Sequence, residues 1–256
     1  MTALQKQKTL NKLIRQGWLQ IFVNDNYDSY MLVEAAVEAG CTCIEYTIRR
    51  KDARAMIPWI KKNVSDMSVF VATLVDGSRA EKYLSQNVNS FLSVDEAVDL
   101  GVDGLISFLP FCKETYKKYA DDLVIIPAVS TPGEAIEQFE LGASLVKLAN
   151  ADKSPQKLKT LLTNTHGLLG TLLTGGMTTE IMPSYIEAGA LVAAGGFDLF
   201  WKELGESATK EQVVEKIKLQ LQVFATARRK YQPELAAAIE RGEENLTTLL
   251  NACLEC

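Results

Sequence analysis

The sequence predicts an α/β protein of the (β/α)8 (TIM) barrel class with an extra helical extension at its C-terminus. Eight short apolar segments of strand type alternate with amphipathic helical segments between about residues 18 and 201, and eight is the strand number of this barrel. Helices end at glycines 40, 101, 142 and 189, each leading into the next strand, which is a common C-terminal cap. No G-x-G-x-x-G motif follows the first strand, so a dinucleotide-binding open sheet is disfavoured.

Each barrel strand is predicted from a run of apolar residues. The predicted strands are Leu19–Val23, Cys43–Thr47, Ser68–Val75, Gly104–Ser107, Val124–Ala128, Leu145–Leu148, Leu168–Thr171 and Leu191–Ala194. The predicted helices between them include Ser29–Ala39, Asp52–Lys62, Ser93–Leu100, Thr131–Leu141, Pro155–Thr163 and Thr179–Ala188. Ser93, Thr131 and Ser154 are favourable N-terminal caps. The stretch Asp76–Leu92, with a helix-like piece at Ala80–Leu84, predicts an insertion after the third strand, on the face that carries active sites.

Beyond Trp201 the pattern changes to helix alone. Lys210–Tyr231 is one long amphipathic stretch, Pro233 starts a second helix, and Asn245–Cys253 is a candidate third. We therefore divide the chain into a barrel domain with an N-terminal helix, residues 1–204, and a C-terminal helical extension, residues 205–256. The extension is expected to pack on the barrel or on a neighbouring subunit.

The composition disfavours several classes of function. The chain has 27 Lys and Arg residues against 32 Asp and Glu, a net charge of −5, which argues against general nucleic-acid binding. No apolar run is long enough to span a membrane and the first residues lack a signal-peptide core, so we expect a cytoplasmic protein without a membrane partner. The five cysteines are expected to be free thiols, and Cys253 with Cys256 is weak evidence for zinc. We expect no metal and no cofactor.

Lys147 is the most unusual residue of the predicted core, because it lies in the apolar strand of residues 144–149. Burial shifts a lysine toward its neutral form, and a neutral amine is a nucleophile that can condense with a ketone. The alternative is a lysine whose stem packs on apolar surface while its head reaches an acidic partner or water.

A carboxylate and an arginine lie at the end of the second strand. Glu45 is a candidate general acid or base, or else a partner in a buried ion pair with an arginine or with Lys147. Arg49, four residues further on, offers a planar guanidinium suited to a carboxylate or a phosphate. Arg50 and Lys51 are expected to face solvent.

Two glycine pairs follow the last two strands, Gly175-Gly176 and Gly195-Gly196. In barrel enzymes the loops at these positions often bind a phosphate through backbone N–H groups, although a glycine pair alone often forms only a turn. His166, the only histidine, lies at a predicted helix end, where a capping or surface role is expected. A Ser-His or Cys-His triad is therefore disfavoured.

The ordered set of motifs resembles a known family. IEYTIRR at 44–50, ATL at 72–74, IIPAVSTPGEA at 125–135, VKLANAD at 146–152, LTGGM at 173–177 and AGGF at 194–197 are similar in order and spacing to the 2-keto-3-deoxy-6-phosphogluconate (KDPG) and 4-hydroxy-2-oxoglutarate (KHG) aldolases. The resemblance covers about residues 18–201. It implies a homotrimeric, metal-free class I aldolase of carbohydrate metabolism on a (β/α)8 barrel, which cleaves a 4-hydroxy-2-keto acid to pyruvate and an aldehyde.

The resemblance also implies a role for each matching residue. Lys147 matches the lysine that forms a Schiff base with the keto acid, and Glu45 matches the carboxylate that moves protons. Arg49 and Thr73 match groups that hold the keto-acid carboxylate, and Thr174 matches a residue of the pyruvate pocket. The loops that receive the distal phosphate or carboxylate are matched by Gly175, Gly176, Gly195 and Gly196.

The chain departs from the family pattern at three places. Leu148-Ala149 stand where an aromatic residue and a proline usually follow the lysine, and Phe197-Asp198 stand where serine and tryptophan usually follow the last glycine pair. The first strand is followed by no clear match to an expected basic residue. These changes disfavour a phosphorylated substrate. Two other functions stay open, a sugar-phosphate isomerase or epimerase and a keto-acid-binding barrel without catalysis.

Overall fold

Eight parallel strands form one sheet whose two edges meet, which confirms the predicted (β/α)8 barrel. The computed structural model describes residues 3–149, 154–168 and 170–246. In chain order the strands are β1 Trp18–Phe22, β2 Cys43–Thr47, β3 Ser68–Leu74, β4 Gly104–Ser107, β5 Val124–Ile126, β6 Val146–Leu148, β7 Thr171–Leu173 and β8 Val192–Gly196. The sheet order β5-β4-β3-β2-β1-β8-β7-β6 leaves β5 and β6 as its edges.

The barrel closes at the backbone of Lys147. The N–H of Lys147 donates to the Pro127 carbonyl at 2.7 Å, and the Lys147 carbonyl accepts from the N–H of Val129 at 3.0 Å. Three residues before Lys147, the N–H of Ser144 donates to the Ile125 carbonyl at 2.8 Å. Because these bonds pair the two edge strands, the sheet exposes no unpaired edge at this seam.

Helices follow most of the strands. In the described part of the chain they are α1 Ala3–Gln16, α2 Ser29–Glu38, α3 Ala53–Asn63, α4 Ser78–Asn87, α5 Val94–Asp99, α6 Lys113–Tyr119, α7 Pro132–Leu141, α8 Pro155–Asn164, α9 Met182–Glu187, α10 Phe197–Leu204, α11 Lys210–Tyr231 and α12 Pro233–Glu240. The predicted caps are confirmed, since Ser93 and Thr131 form capping boxes and Ser154 accepts from the N–H of Gln156. The helix after β3 is longer than predicted, and α6 and α10 were not predicted from the sequence.

The predicted seventh strand, Leu168–Thr171, is wrong by about three residues. His166 and Gly167 adopt left-handed backbone conformations, and the N–H of Leu168 donates back to the Thr165 carbonyl at 3.0 Å. Leu168 thus completes the turn after α8 and is 40% exposed. An apolar residue in a turn imitates the start of a strand, and β7 begins only at Thr171.

Alternate strand residues point into the barrel, where they form a cluster of buried apolar side chains. This inner cluster includes Leu19, Ile21, Cys43, Phe70, Ile106, Val124, Leu145, Leu172 and Val192. Leu10 and Leu13 of α1 and Leu235 and Ala238 of α12 join the same cluster and cover the amino end of the strands. The carboxyl ends are left for polar side chains, as in other barrels of this class.

The C-terminal helices pack on the barrel. Helix α11 lies against α2 and α9, and its buried Arg228 donates to the carbonyls of Ile14 and Leu191, both at 2.6 Å. The predicted helix Asn245–Cys253 lies mostly outside the described residues. None of the described helices has the length and apolar character needed to cross a membrane.

Candidate active site

A lysine and a glutamate meet inside the carboxyl end of the barrel. Lys147 lies on β6 and Glu45 on β2, and strand order places these two strands on opposite sides of the barrel. Their neighbours in register, Leu172 for Lys147 and Ile21 and Phe70 for Glu45, belong to the inner cluster. Both side chains therefore point inward, and Lys147 Nζ lies 3.4 Å from Glu45 Oε1.

This ion pair is incompletely satisfied. Lys147 and Glu45 are almost fully buried, yet their contact is long, and Glu45 Oε2 is buried without a hydrogen-bond partner among the described residues. A purely structural buried pair is favourable only when hydrogen bonds satisfy its remaining donors and acceptors. A nearby carboxylate is compatible with both readings of Lys147, but the Glu45 oxygen that has no partner among the described residues favours a site that a ligand completes.

Burial lowers the pKa of Lys147 below its usual range. The Glu45 carboxyl opposes this effect, whereas the positive charge of Arg49 adds to it. Burial is the largest of the three causes. The amine is thus biased toward its neutral, nucleophilic form.

An aromatic ring that the sequence analysis missed covers the lysine. Phe108 follows β4, and its ring centroid lies 4.1 Å from Lys147 Nζ. The loop is fixed by Ser107, whose Oγ donates to the Leu74 carbonyl at 3.0 Å and accepts from the N–H of Leu109 at 2.9 Å. The ring is well placed to stabilise positive charge on the nitrogen. The spacing in the sequence could have indicated this position, because Phe108 lies two residues after Ile106, which points into the barrel.

Thr73 lies at the end of β3 in a strained conformation. Its φ is 70°, which a β-branched residue adopts only at an energetic cost. The pairing of β3 with β4 shifts register between Val71 and Leu74, and Thr73 Oγ1 is buried without a hydrogen-bond partner in the described part of the chain. Such outliers are concentrated at functional sites, and the binding role of Thr73 stays a prediction.

Replacing Thr73 with glycine is expected to stabilise the fold. Relief of the left-handed strain should raise the free energy of unfolding by about 1 kcal/mol after the entropy cost of glycine is subtracted. Thr73→Val is the matched control, since it removes the hydroxyl but keeps the β-branched carbon. Urea denaturation checks this prediction, and equal destabilisation by both substitutions would contradict it.

Arg49 and Arg50 have opposite environments. Arg49 is exposed at the rim and acts electrostatically on Lys147. The expectation that Arg50 faces solvent is wrong, because Arg50 is only 3% exposed. Its guanidinium donates to the Tyr27 carbonyl at 3.0 Å and to the Tyr46 hydroxyl at 3.2 Å, and it pairs with Asp52. Arg50 thereby ties the loop after β1 to the loop after β2 and holds the backbone beside Arg49.

Thr174 connects the end of β7 to the lysine strand. It is buried, and its N–H donates to the Leu148 carbonyl at 3.1 Å. The following Gly175 and Gly176 have φ values of 89° and 70° and are exposed, so this predicted pair forms a left-handed turn at the mouth of the barrel. Thr174 thus lies one strand away from Lys147.

The two glycines of the second pair, Gly195 and Gly196, face opposite sides of the sheet and have different neighbours. Gly195 faces the outer layer, where a β-carbon would lie 2.5 Å from Trp18 Cη2, and its carbonyl accepts from Gln20 at 3.0 Å. Packing therefore explains Gly195. Gly196, the next residue, faces the inside of the barrel. A β-carbon at Gly196 would overlap Asp198 Oδ1 and Val23 Cγ2.

The fold and the site together define a class of protein, a (β/α)8 barrel enzyme with a buried amine and a carboxyl group at the carboxyl ends of its strands. The family model for KDPG and KHG aldolase matches residues 13–217. The chain belongs to this family and is therefore an aldolase, a carbon–carbon lyase.

Solved structures agree on the fold. The native KDPGal structure has a TM-score of 0.67 at 17% identity, covering 83% of this chain and 96% of that one. The 2-keto-3-deoxy-6-phosphogluconate aldolase of Zymomonas mobilis gives 0.63 at 19% identity, with coverage of 82% and 95%. KDPG aldolase from Legionella pneumophila, with pyruvate captured as a covalent carbinolamine, gives 0.61 at 15%, with coverage of 85% and 97%. No curated protein sequence matches the chain significantly.

Proposed function

We propose that the protein is a class I aldolase that reversibly cleaves a 4-hydroxy-2-keto acid to pyruvate and an aldehyde through a Schiff base on Lys147. The observation that carries this proposal is the buried contact between Lys147 and Glu45, in which one carboxyl oxygen has no hydrogen-bond partner among the described residues. Family membership supports it, and a neighbour of the same fold was captured with pyruvate as a covalent carbinolamine.

Imine formation uses the two central residues in turn. The proton of the Lys147 ammonium passes to Glu45, and the neutral amine attacks the C2 carbonyl of the keto acid. Transfer of a proton from the nitrogen to the carbonyl oxygen then gives a carbinolamine. Glu45, whose Oε1 lies 3.4 Å from Nζ, delivers a proton to the departing hydroxyl, and loss of water leaves a protonated imine. The face of the Phe108 ring next to Nζ stabilises that cation.

Cleavage then uses the imine as an electron sink. Glu45 or a water that it orients takes the proton of the C4 hydroxyl, the C3–C4 bond breaks, and its electron pair moves through C2 to the nitrogen as an enamine. The aldehyde leaves. Protonation at C3 and hydrolysis of the imine release pyruvate and restore the amine. We assign Arg49 and Thr73 to the keto-acid carboxylate, because a rim guanidinium and an unpartnered hydroxyl can both donate to it.

Borohydride trapping tests the proposal. Incubation with pyruvate and borohydride is expected to leave a reduced, stable adduct on Lys147, located by peptide mass spectrometry. Borohydride without pyruvate is the control. A folded protein with no adduct at Lys147 would contradict the Schiff-base mechanism. An isomerase would turn over without such an adduct, and a binding protein would release no pyruvate from any keto acid.

Family membership also supports a cytoplasmic homotrimer that acts in carbohydrate metabolism. Light scattering coupled to size-exclusion chromatography measures the assembly. A mass of one or two chains would contradict the trimer without affecting the proposed chemistry.

A further inference from the structure

We propose that Asp198 restricts the enzyme to substrates whose distal half, the part released as the aldehyde, carries no negative charge. This inference rests on the proposed function and specifies its substrate class. It concerns the end of the substrate remote from Lys147, so it can fail while the Schiff-base chemistry stands.

The argument begins with the place that barrels commonly use to hold an anion. That place lies between the loops after the seventh and eighth strands and the N-terminus of the next helix, where backbone N–H groups point outward. Here the helix is α10, its N-cap is Gly196, and no side-chain hydrogen bond caps it. The N–H groups of its first turn therefore face the position that a distal phosphate would occupy.

The carboxylate of Asp198 already lies at this position. Asp198 is in the first turn of α10, and its side chain folds back over the inward face of Gly196, where even a β-carbon would overlap Oδ1. A carboxylate is favourable there because the helix dipole is positive at its N-terminus. The protein's own anion thus fills the place where a substrate anion would be bound, and its charge repels one.

The neighbouring groups do not reverse this charge. The other side chain next to the β-carbon position of Gly196 is Val23, which is apolar. In the salt bridges formed by the described residues, no lysine or arginine pairs with Asp198. An incoming phosphate would meet a carboxylate that forms no salt bridge with any described lysine or arginine, and this juxtaposition of like charges is unfavourable in a partly desolvated site.

The opposite wall of the mouth is apolar. In the barrel order, β6 with Lys147 lies two strands from β8 and two strands from β4. The loop after β4 presents Phe108 and Leu109, which are 47% and 51% exposed. A substrate bound at Lys147 therefore extends its distal half between an apolar wall and a carboxylate. A neutral alkyl or hydroxyalkyl aldehyde fits both.

The experiment compares three 4-hydroxy-2-keto acids that differ at the distal end. The probes are 2-keto-3-deoxy-6-phosphogluconate, its unphosphorylated counterpart 2-keto-3-deoxygluconate, and 4-hydroxy-2-oxoglutarate with its distal carboxylate. Pyruvate release gives kcat/KM for each. For the unaltered enzyme we expect 2-keto-3-deoxygluconate, whose distal end is uncharged, to be cleaved with at least about tenfold higher kcat/KM than either acid with a charged distal end.

Asp198→Asn and Asp198→Ser then test the residue itself. Asparagine keeps the shape and removes the charge, and serine also opens space at the helix N-terminus. Both are expected to raise kcat/KM for the phosphorylated acid relative to 2-keto-3-deoxygluconate by about tenfold or more. Inorganic phosphate is expected to inhibit Asp198→Ser more strongly than the unaltered enzyme.

Two results would overturn the proposal. One is a preference of the unaltered enzyme for the phosphorylated acid. This measurement does not depend on the folding of a variant. The other is an unchanged ratio in Asp198→Asn. Trapping with pyruvate alone separates this failure from failure of the proposed function, because pyruvate has no distal half. An adduct on Lys147 together with either result would retain the aldolase mechanism and reject the role of Asp198.

Discussion

Replacing Lys147 with methionine is expected to abolish pyruvate release, with a loss on the order of 10⁴-fold or more, because the covalent route depends on the amine. Methionine has a similar length and no charge, so it fits the apolar surroundings of the inner cluster. The borohydride adduct with pyruvate is expected to disappear as well. Both effects are measured on the same preparation, by coupled assay and by intact mass.

Lys118→Met is the matched control, since Lys118 lies on α6, is exposed and pairs with Asp95. It is expected to retain both turnover and the adduct. Loss of the adduct in this control, or residual turnover in Lys147→Met above a hundredth of the original rate, would refute the covalent role of Lys147.

The pH dependence of adduct formation follows from the same residue. Burial lowers the pKa of Lys147, so the neutral amine is populated at lower pH than for an exposed lysine, whose pKa is about 10.4. The rate of trapping with pyruvate should rise with pH, level off before that value, and fall as the pH drops through the lowered pKa. A rate that still rises above pH of about 10.4 would contradict the lowered pKa.

The second large effect is expected at Glu45. Glu45→Gln keeps the size of the side chain and removes proton transfer, so kcat should fall by about 10²–10⁴-fold. The pyruvate adduct on Lys147 should still form, only more slowly, because the amine remains. Single-turnover trapping separates the two steps.

Glu45→Asp sharpens the result. The shorter side chain retains the acid but retracts it from Nζ, so an intermediate rate is expected. If Glu45→Gln cleaved substrate as fast as the unaltered enzyme while folding normally, Glu45 would be only the ion-pair partner of Lys147. A complete absence of adduct in a folded Glu45→Gln would show that Glu45 is required for imine formation itself, contrary to the expected slow trapping.

Much of the fold follows from local pattern, because apolar runs and helix caps are short-range signals. β2 and β4 have the predicted bounds, whereas β7 does not, because Leu168 completes a turn. The central pair was predictable from two charges in apolar strands, Lys147 and Glu45. Their meeting across the barrel depends on strand order, which a barrel topology supplies.

The errors at the site have a common physical origin. Two adjacent arginines carry no local signal for which one is buried. Arg50 is buried because its guanidinium donates hydrogen bonds to the Asn24 and Tyr27 carbonyls of the loop after β1. Phe108 was missed because an aromatic residue after a strand is usually part of the core. The sequence shows that Asp198 follows the last glycine pair, but the position of its carboxylate over Gly196 depends on how the first turn of α10 is oriented.

The hydrogen bonds that close the barrel at Lys147 couple catalysis to the completion of folding. Strands β5 and β6 are held together at this seam by the backbone bonds of Ser144 and Lys147, so a molecule with an open seam would hold Lys147 away from Glu45 and exposed to water. In such a chain the amine would be an ordinary protonated lysine. Covalent labelling by pyruvate would then occur only in molecules whose barrel is closed. Hydrogen exchange of the Lys147 and Val129 amides, which bond across the seam, should slow when the adduct forms.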